Sequence, residues 1–262
     1  MLIDFHSHSF PEKIALAALE KLSFVSGGMK PHTDGTVDGY KRLMAEQGVD
    51  KAVCLSIATN ATQQKRVNDF AASINSDDII SFGSVFPDSE DWSEELDRIK
   101  SLGLKGVKLH PDYQGFSVDD EKMIPIYKKI SSLGLITVFH AGKDYGFPPP
   151  YGATPEKMAK ILKYFDTPIV AAHWGGLGCE EAVLEHLCGK DIYFDTSFGY
   201  ASMPKYYARK ILETHTADRF LFGSDCPWHT PEMEMRLLKS LELTTEEMEK
   251  ITHKNAEKLL NI

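Results

Sequence analysis

The feature that most limits the fold of this chain is a series of eight short runs rich in Val, Ile, Leu, Phe and Tyr, separated by segments of helical character. The runs lie near Leu2 to His8, Lys51 to Ile57, Ile79 to Phe86, Lys105 to His110, Leu135 to His140, Pro168 to His173, Ile192 to Ser197 and Phe220 to Asp225. Each is nearly continuous in apolarity, as a strand covered on both faces must be. The intervening segments carry helix start and stop signals. Thr154-Pro155-Glu156 supplies an N-cap, a proline at the first helical position and an acid in the first turn. Gly48, Gly103, Gly134 and Gly189 each follow a helical stretch, where a left-handed cap is expected.

A repeated strand, helix, strand order implies right-handed crossovers and a parallel sheet, open or closed. An open dinucleotide-binding sheet would carry GxGxxG after its first strand, whereas Ser9-Phe10-Pro11 follows here. Eight units favour closure. The expected fold is α/β, a (β/α)8 TIM barrel made as one domain from residues 1–262.

The chemistry of such a barrel sits at the C-terminal ends of its strands. Those ends carry His6 and His8 in Asp4-Phe5-His6-Ser7-His8, His110 closing GVKLH, His140 closing LITVFH, His173 closing IVAAH and Asp225 closing FLFGSD. Strand alternation predicts that Asp4, His6 and His8 share one face, so that the two imidazoles converge on one cation. A third nitrogen and a strand-eight carboxylate would leave one position open for water, as catalytic zinc requires. A lone strand-end histidine is usually a hydrogen-bonded structural residue; the conjunction is what points to metal. Asp4 is expected to orient a ligand or the barrel floor. Asp195 in IYFDTS reads as a buried carboxylate bonded to backbone.

Charge and composition exclude other classes. A net charge of -9 with no Lys/Arg run is unsuited to nucleic acid or an acidic membrane surface. No apolar stretch approaches the ~20 residues needed to span a bilayer. Four cysteines without CxxC spacing suit a reducing compartment, so a cytoplasmic enzyme is expected.

The DxHxH opening, the His ending strand five, AHWGG, GSDCP and the closing Asn255-Ala256-Glu257-Lys258-Leu259-Leu260 resemble the amidohydrolase superfamily. Within it they are similar to the amidohydrolase-2 branch, the aminocarboxymuconate-semialdehyde decarboxylase-like metal-dependent hydrolases. The resemblance implies that His6, His8, His140 and Asp225 ligate one divalent metal, zinc with manganese as the alternative. It implies that His173 contacts the metal-bound water, with Asp225 and His173 as the catalytic pair. The implied activity is hydrolysis of a small-molecule amide, ester or lactone by a metal-activated water. The alternative is a nonoxidative decarboxylase of a small unsaturated or aromatic acid, set second because no arginine stands beside a candidate site residue. An inactive metal-binding barrel and a metal-free lactonase are the remaining readings.

Binuclear members of the superfamily bridge their metals on strand four with a carboxylated lysine or a glutamate. Here Lys108 shares a face with His110 but lies a layer deeper and would need to reach up to bridge anything, which favours one metal; the sequence does not say whether Lys108 is carboxylated. The missing glutamate also weakens a likeness to TatD-type nucleases. His110, Trp174 and Tyr151 are the substrate-side candidates. Ser23 to Gly35, Pro111 to Ser117 and Gly142 to Gly152 read as access loops, with Gly27-Gly28 as the mobile element and the proline run as a stiff wall. The expected partner is a small-molecule substrate, and a homodimer is compatible with the composition.

Overall fold

The structure, a computed structural model, describes residues Met1–Ile262. Its strands are β1 (Ile3–Ser7), β2 (Lys51–Leu55), β3 (Ile79–Phe82), β4 (Gly106–Leu109), β5 (Ile136–Phe139), β6 (Ile169–Ala171), β7 (Tyr193–Asp195) and β8 (Phe220–Leu221). Neighbours in sequence pair in parallel from β1 to β3 and from β4 to β8. Two isolated bridges, Gly83 with Val107 and Ser7 with Cys226, join the two runs. Around them Lys108 N–H donates to the Gly83 carbonyl at 2.8 Å and Phe5 N–H to the Phe222 carbonyl at 2.7 Å. The sheet therefore closes into the expected (β/α)8 barrel, which leaves no edge strand.

Alternation along the strands divides the core. Phe5, Val53, Leu55, Phe82, Val138, Val170 and Leu221 form one cluster. Val107, Leu109, Phe139, Phe194 and Phe220 join a larger cluster with helix residues such as Leu96, Tyr127, Met158 and Ile211. Lys108, between Val107 and Leu109, takes the opposite side of β4 and is 1% exposed. Gly106 beneath it gives up its side-chain space to the Phe82 ring.

β1 departs from the expected alternation. Its pairing with β2 shifts register between Asp4 and Ser7. Asp4 consequently faces the helix Val37–Gln47, accepting from Tyr40 Oη at 2.6 Å and Ser224 Oγ at 2.5 Å, while His6 and His8 turn into the barrel. Asp4 thus ties β1 to the segment after β8 and shares no face with the histidines. The loop expected at Pro111–Ser117 instead opens with a helical turn, Pro111–Gln114, and Gln114 donates to the Ala58 and Val85 carbonyls. The four cap glycines have φ of +70° to +77° at Gly48, Gly103 and Gly189 and +67° at Gly134. Thr154 occupies the N-cap of Pro155–Ile161 without a side-chain bond to that helix's backbone. No helix is long and apolar enough to cross a membrane.

His215 shows what a structural histidine looks like in this fold. Its Nδ1 accepts from Gly189 N–H at 3.0 Å, its Nε2 donates to the Ile192 carbonyl at 2.8 Å, and its ring stacks on Phe194 at 4.0 Å. Burial lowers its pKa to about 4. Folding therefore favours the neutral ring. That contribution, roughly 3 kcal/mol, is complete above the unfolded pKa of 6.5 and disappears as pH falls through 4. Denaturant titrations from pH 7 to pH 4 should show this loss in the wild type on top of that from the other buried histidines, and His215→Gln should reduce the total by about 3 kcal/mol. An unchanged slope in the variant would mean that other groups carry the acid sensitivity.

Candidate metal centre

Five imidazoles form a contiguous arc at the C-terminal end of the barrel. Ring centroids are 5.1 Å apart for His8 and His6, 5.1 Å for His6 and His173, 4.8 Å for His173 and His140, and 4.1 Å for His140 and His110. Burial holds His6, His110 and His173 well below the usual histidine range and brings His140 to about 3. Those four rings are neutral, each with one lone pair to place.

At one end of the arc the lone pairs converge. His8 Nδ1–H donates to the Leu55 carbonyl at 2.7 Å, and His6 Nδ1–H donates to Asp195 Oδ2 at 2.8 Å. With both rings neutral, both Nε2 atoms are acceptors. They lie 3.2 Å apart, and Asp225 Oδ1 is 3.2 Å from the first and 3.1 Å from the second. Three electron-rich atoms in contact with no proton between them repel one another. A cation at their centre removes the repulsion, and tetrahedral ligands about 2.0–2.1 Å from zinc would lie about 3.3–3.4 Å apart. The donor set and its spacing fit a divalent metal. Burial alone would raise the Asp225 carboxyl, but the charge that His6 and His8 take on when protonated, the bond to His8 and the Lys108 ammonium outweigh it and lower the group.

Of the four expected ligands the structure brings three together. His140 stands apart from this face: its Nε2–H donates to the Lys143 carbonyl at 3.1 Å, so its Nδ1 accepts from His173 Nε2–H at 3.1 Å. His173 Nδ1 in turn accepts from Ser197 Oγ at 2.8 Å. Asp195 organises the whole arrangement from 0% exposure. Besides His6 it accepts from His173 N–H at 2.9 Å and Ser197 N–H at 3.1 Å, and the Ser197 hydroxyl, whose one proton goes to His173, packs against the same oxygen. Asp195 is therefore bonded to backbone, as expected, and to a candidate ligand as well.

His110, His140 and Asp144 form a second group, with Asp144 Oδ2 at 3.3 Å from His110 Nε2 and 3.8 Å from His140 Nε2. His110 Nδ1 faces the Tyr113 N–H, which leaves Nε2–H to donate to Asp144. Hydrogen bonds satisfy this group without a cation.

The substrate-side expectations fare unevenly. His110 sits beside the arc, 5% exposed. Trp174 does not wall a pocket: it is 1% exposed, donates from Nε1 to the Thr196 carbonyl at 2.9 Å and packs against Phe220. The positive φ of His173 and Trp174, +59° and +60°, sends the indole back into the core. Tyr151 is half-buried in its loop, and no hydrogen bond joins its hydroxyl to the arc. Sequence reasoning missed Asp144 and Ser197, whose loop positions carry no periodic signal. It placed Lys108 correctly but stopped short of its reach: Nζ comes within 3.4 Å of His6 Nε2. Burial lowers the Lys108 ammonium to about 8 against the pull of Asp195, Asp225 and Asp144.

The amidohydrolase family model matches residues 3–262. The chain belongs to the amidohydrolase family. Among curated proteins the chain is 28% identical over 168 residues to the decarboxylase orsB of Emericella nidulans, covering 62% of the chain and 44% of that relative. The match thus spans less than half of the relative's length. Among solved structures it is similar to a dihydroxybenzoic acid decarboxylase from Polaromonas sp. JS666, solved with bound manganese and the inhibitor 2-nitroresorcinol. The TM-score is 0.73 and the identity 16%, covering 99% of this chain and 96% of that one. A proposed 2-pyrone-4,6-dicarboxylic acid hydrolase from Pseudomonas putida gives a TM-score of 0.69 and 15% identity, over 99% and 97% of the two chains. At these identities the structural likeness concerns the fold, which is the TIM barrel.

Proposed function

We propose that this member of the amidohydrolase family is a metal-dependent nonoxidative decarboxylase of a small unsaturated or aromatic carboxylic acid, acting in the cytoplasm. The observation that carries the reading is the sequence likeness to a decarboxylase. The hydrolase reading taken from the sequence becomes the second choice.

His6, His8 and Asp225 would hold the cation, zinc or manganese, which supplies Lewis-acid charge that draws an acid group to the barrel mouth. Only Oδ1 of Asp225 engages the histidines, so Oδ2 is free to take a proton and hand it on. The proton goes to the carbon that bears the carboxylate. The bond to the carboxyl carbon then breaks, its electron pair returns to the ring or double bond, and carbon dioxide leaves. His173 keeps its Nε2–H on His140 and Asp195 keeps His6 in the tautomer that presents Nε2.

The test is isotopic. Metal-loaded protein offered hydroxybenzoates in deuterated water should release carbon dioxide and place one deuterium on carbon. In 18O-labelled water the organic product should gain no label. Label in the product without carbon dioxide release, from an ester, amide or lactone, would return the assignment to hydrolysis.

A further inference from the structure

Lys108 is a buried charge to which the reaction above gives no task. It is 1% exposed, forms no salt bridge, and has one polar contact, His6 Nε2 at 3.4 Å. That contact is itself provisional, because the same lone pair belongs to the donor face. Once a cation takes it, three ammonium N–H groups have no acceptor in the protein. A buried ammonium left unpaired is costly, and folding tolerates it only where another group completes it. The lysine cannot retreat, since Val107 and Leu109 anchor β4 in the outer core and Gly106 below it is closed by Phe82.

We infer that Lys108 receives the carboxylate of an acidic substrate beside the donor face, so that the site selects small carboxylic acids over their neutral analogues. The inference rests on the decarboxylase reading for the identity of the acid, and on geometry alone for the anion site. Charge balance agrees with it. Asp195, Asp225 and Asp144 act on the lysine through space, none of them within salt-bridge distance, and contribute three negative charges, which a divalent cation and one ammonium offset. Without Lys108 the centre would be net negative and would repel an acid. The arginine that the sequence lacks beside its site residues is not needed, because the cation rises from within the barrel.

The experiment compares benzoate with benzamide, two ligands of one shape that differ in charge, by calorimetry on metal-loaded protein. Wild type should prefer benzoate. Lys108→Met and Lys108→Gln should lose at least about tenfold of the benzoate affinity, the worth of a charge-assisted hydrogen bond, and leave benzamide and metal content unchanged. Lys108→Arg, which keeps the charge, should keep the preference. A measurement on wild type guards against misfolded variants: with 15N-labelled lysine, one Nζ resonance should move on addition of benzoate and stay still with benzamide. No preference in wild type, a preference retained by both neutral variants, or equal losses for both ligands would overturn the inference. So would a carbamate on Nζ, read by 13C NMR in labelled bicarbonate, since it turns the cation into an anion. If the preference collapses as expected while no acid releases carbon dioxide, the anion site stands and the decarboxylase reading falls.

Discussion

Asp225→Asn is expected to lower turnover by about three orders of magnitude or more in a protein that remains folded. The substitution preserves shape and removes two things at once. Asp225 Oδ1 is the only carboxylate vertex of a face whose other two members are imidazoles, 3.1 and 3.2 Å away. An amide there offers a cation far less charge. Oδ2, the atom free to carry a proton, becomes either an NH2 group or a carbonyl that cannot hold a proton at neutral pH. Metal content and turnover should be read together, because loss of metal alone would be repaired by excess metal. Turnover at saturating metal within about tenfold of wild type would show that the proton is carried elsewhere, and the first place to look would be Lys108.

The eight strands could be read from the sequence because a strand buried on both faces cannot hide its apolarity. Five of them also end on a histidine or an aspartate, which is how the barrel's catalytic end announced itself. What failed was finer. Strict alternation along β1 put Asp4 with His6 and His8, but the register shift between Asp4 and Ser7 reverses the side that Asp4 takes. Such an irregularity is a property of two strands pairing, and one strand's composition does not contain it. Trp174 was misread for a similar reason: the turn after β6 uses positive φ at two non-glycine residues, and no local signal marks it.

Site chemistry divided along the same line. Which residues supply donors was legible from their types at strand ends. How those donors are oriented was not, because orientation depends on hydrogen bonds between residues far apart in sequence. His8 is set by the Leu55 carbonyl and His140 by the Lys143 carbonyl, neither of which any side-chain pattern reveals. The second choice given to decarboxylation came from looking for arginine near the loops, while the buried cation sat inside β4.

Asp195 carries the largest predicted effect on structure and metal together. It is fully buried, and its two oxygens accept from His6 Nδ1, His173 N–H and Ser197 N–H. Asp195→Ala leaves these donors without a partner in a site that water reaches poorly. The expected cost is on the order of 3–5 kcal/mol of folding stability, measured by denaturant unfolding. Asp195→Asn separates the roles. Its carbonyl can still serve the backbone N–H groups, so most of the stability should remain. Its NH2, however, faces His6 Nδ1 as a donor against a donor, and the ring relieves the conflict by moving its proton to Nε2. That proton then occupies the vertex at which a metal would bind, and metal affinity should fall by about 10–100-fold, recorded by competition with a chromophoric chelator. A folded Asp195→Asn protein that binds zinc or manganese as tightly as wild type would show that the bond from His6 to Asp195 does not set the tautomer, and the donor face would then have to be built differently.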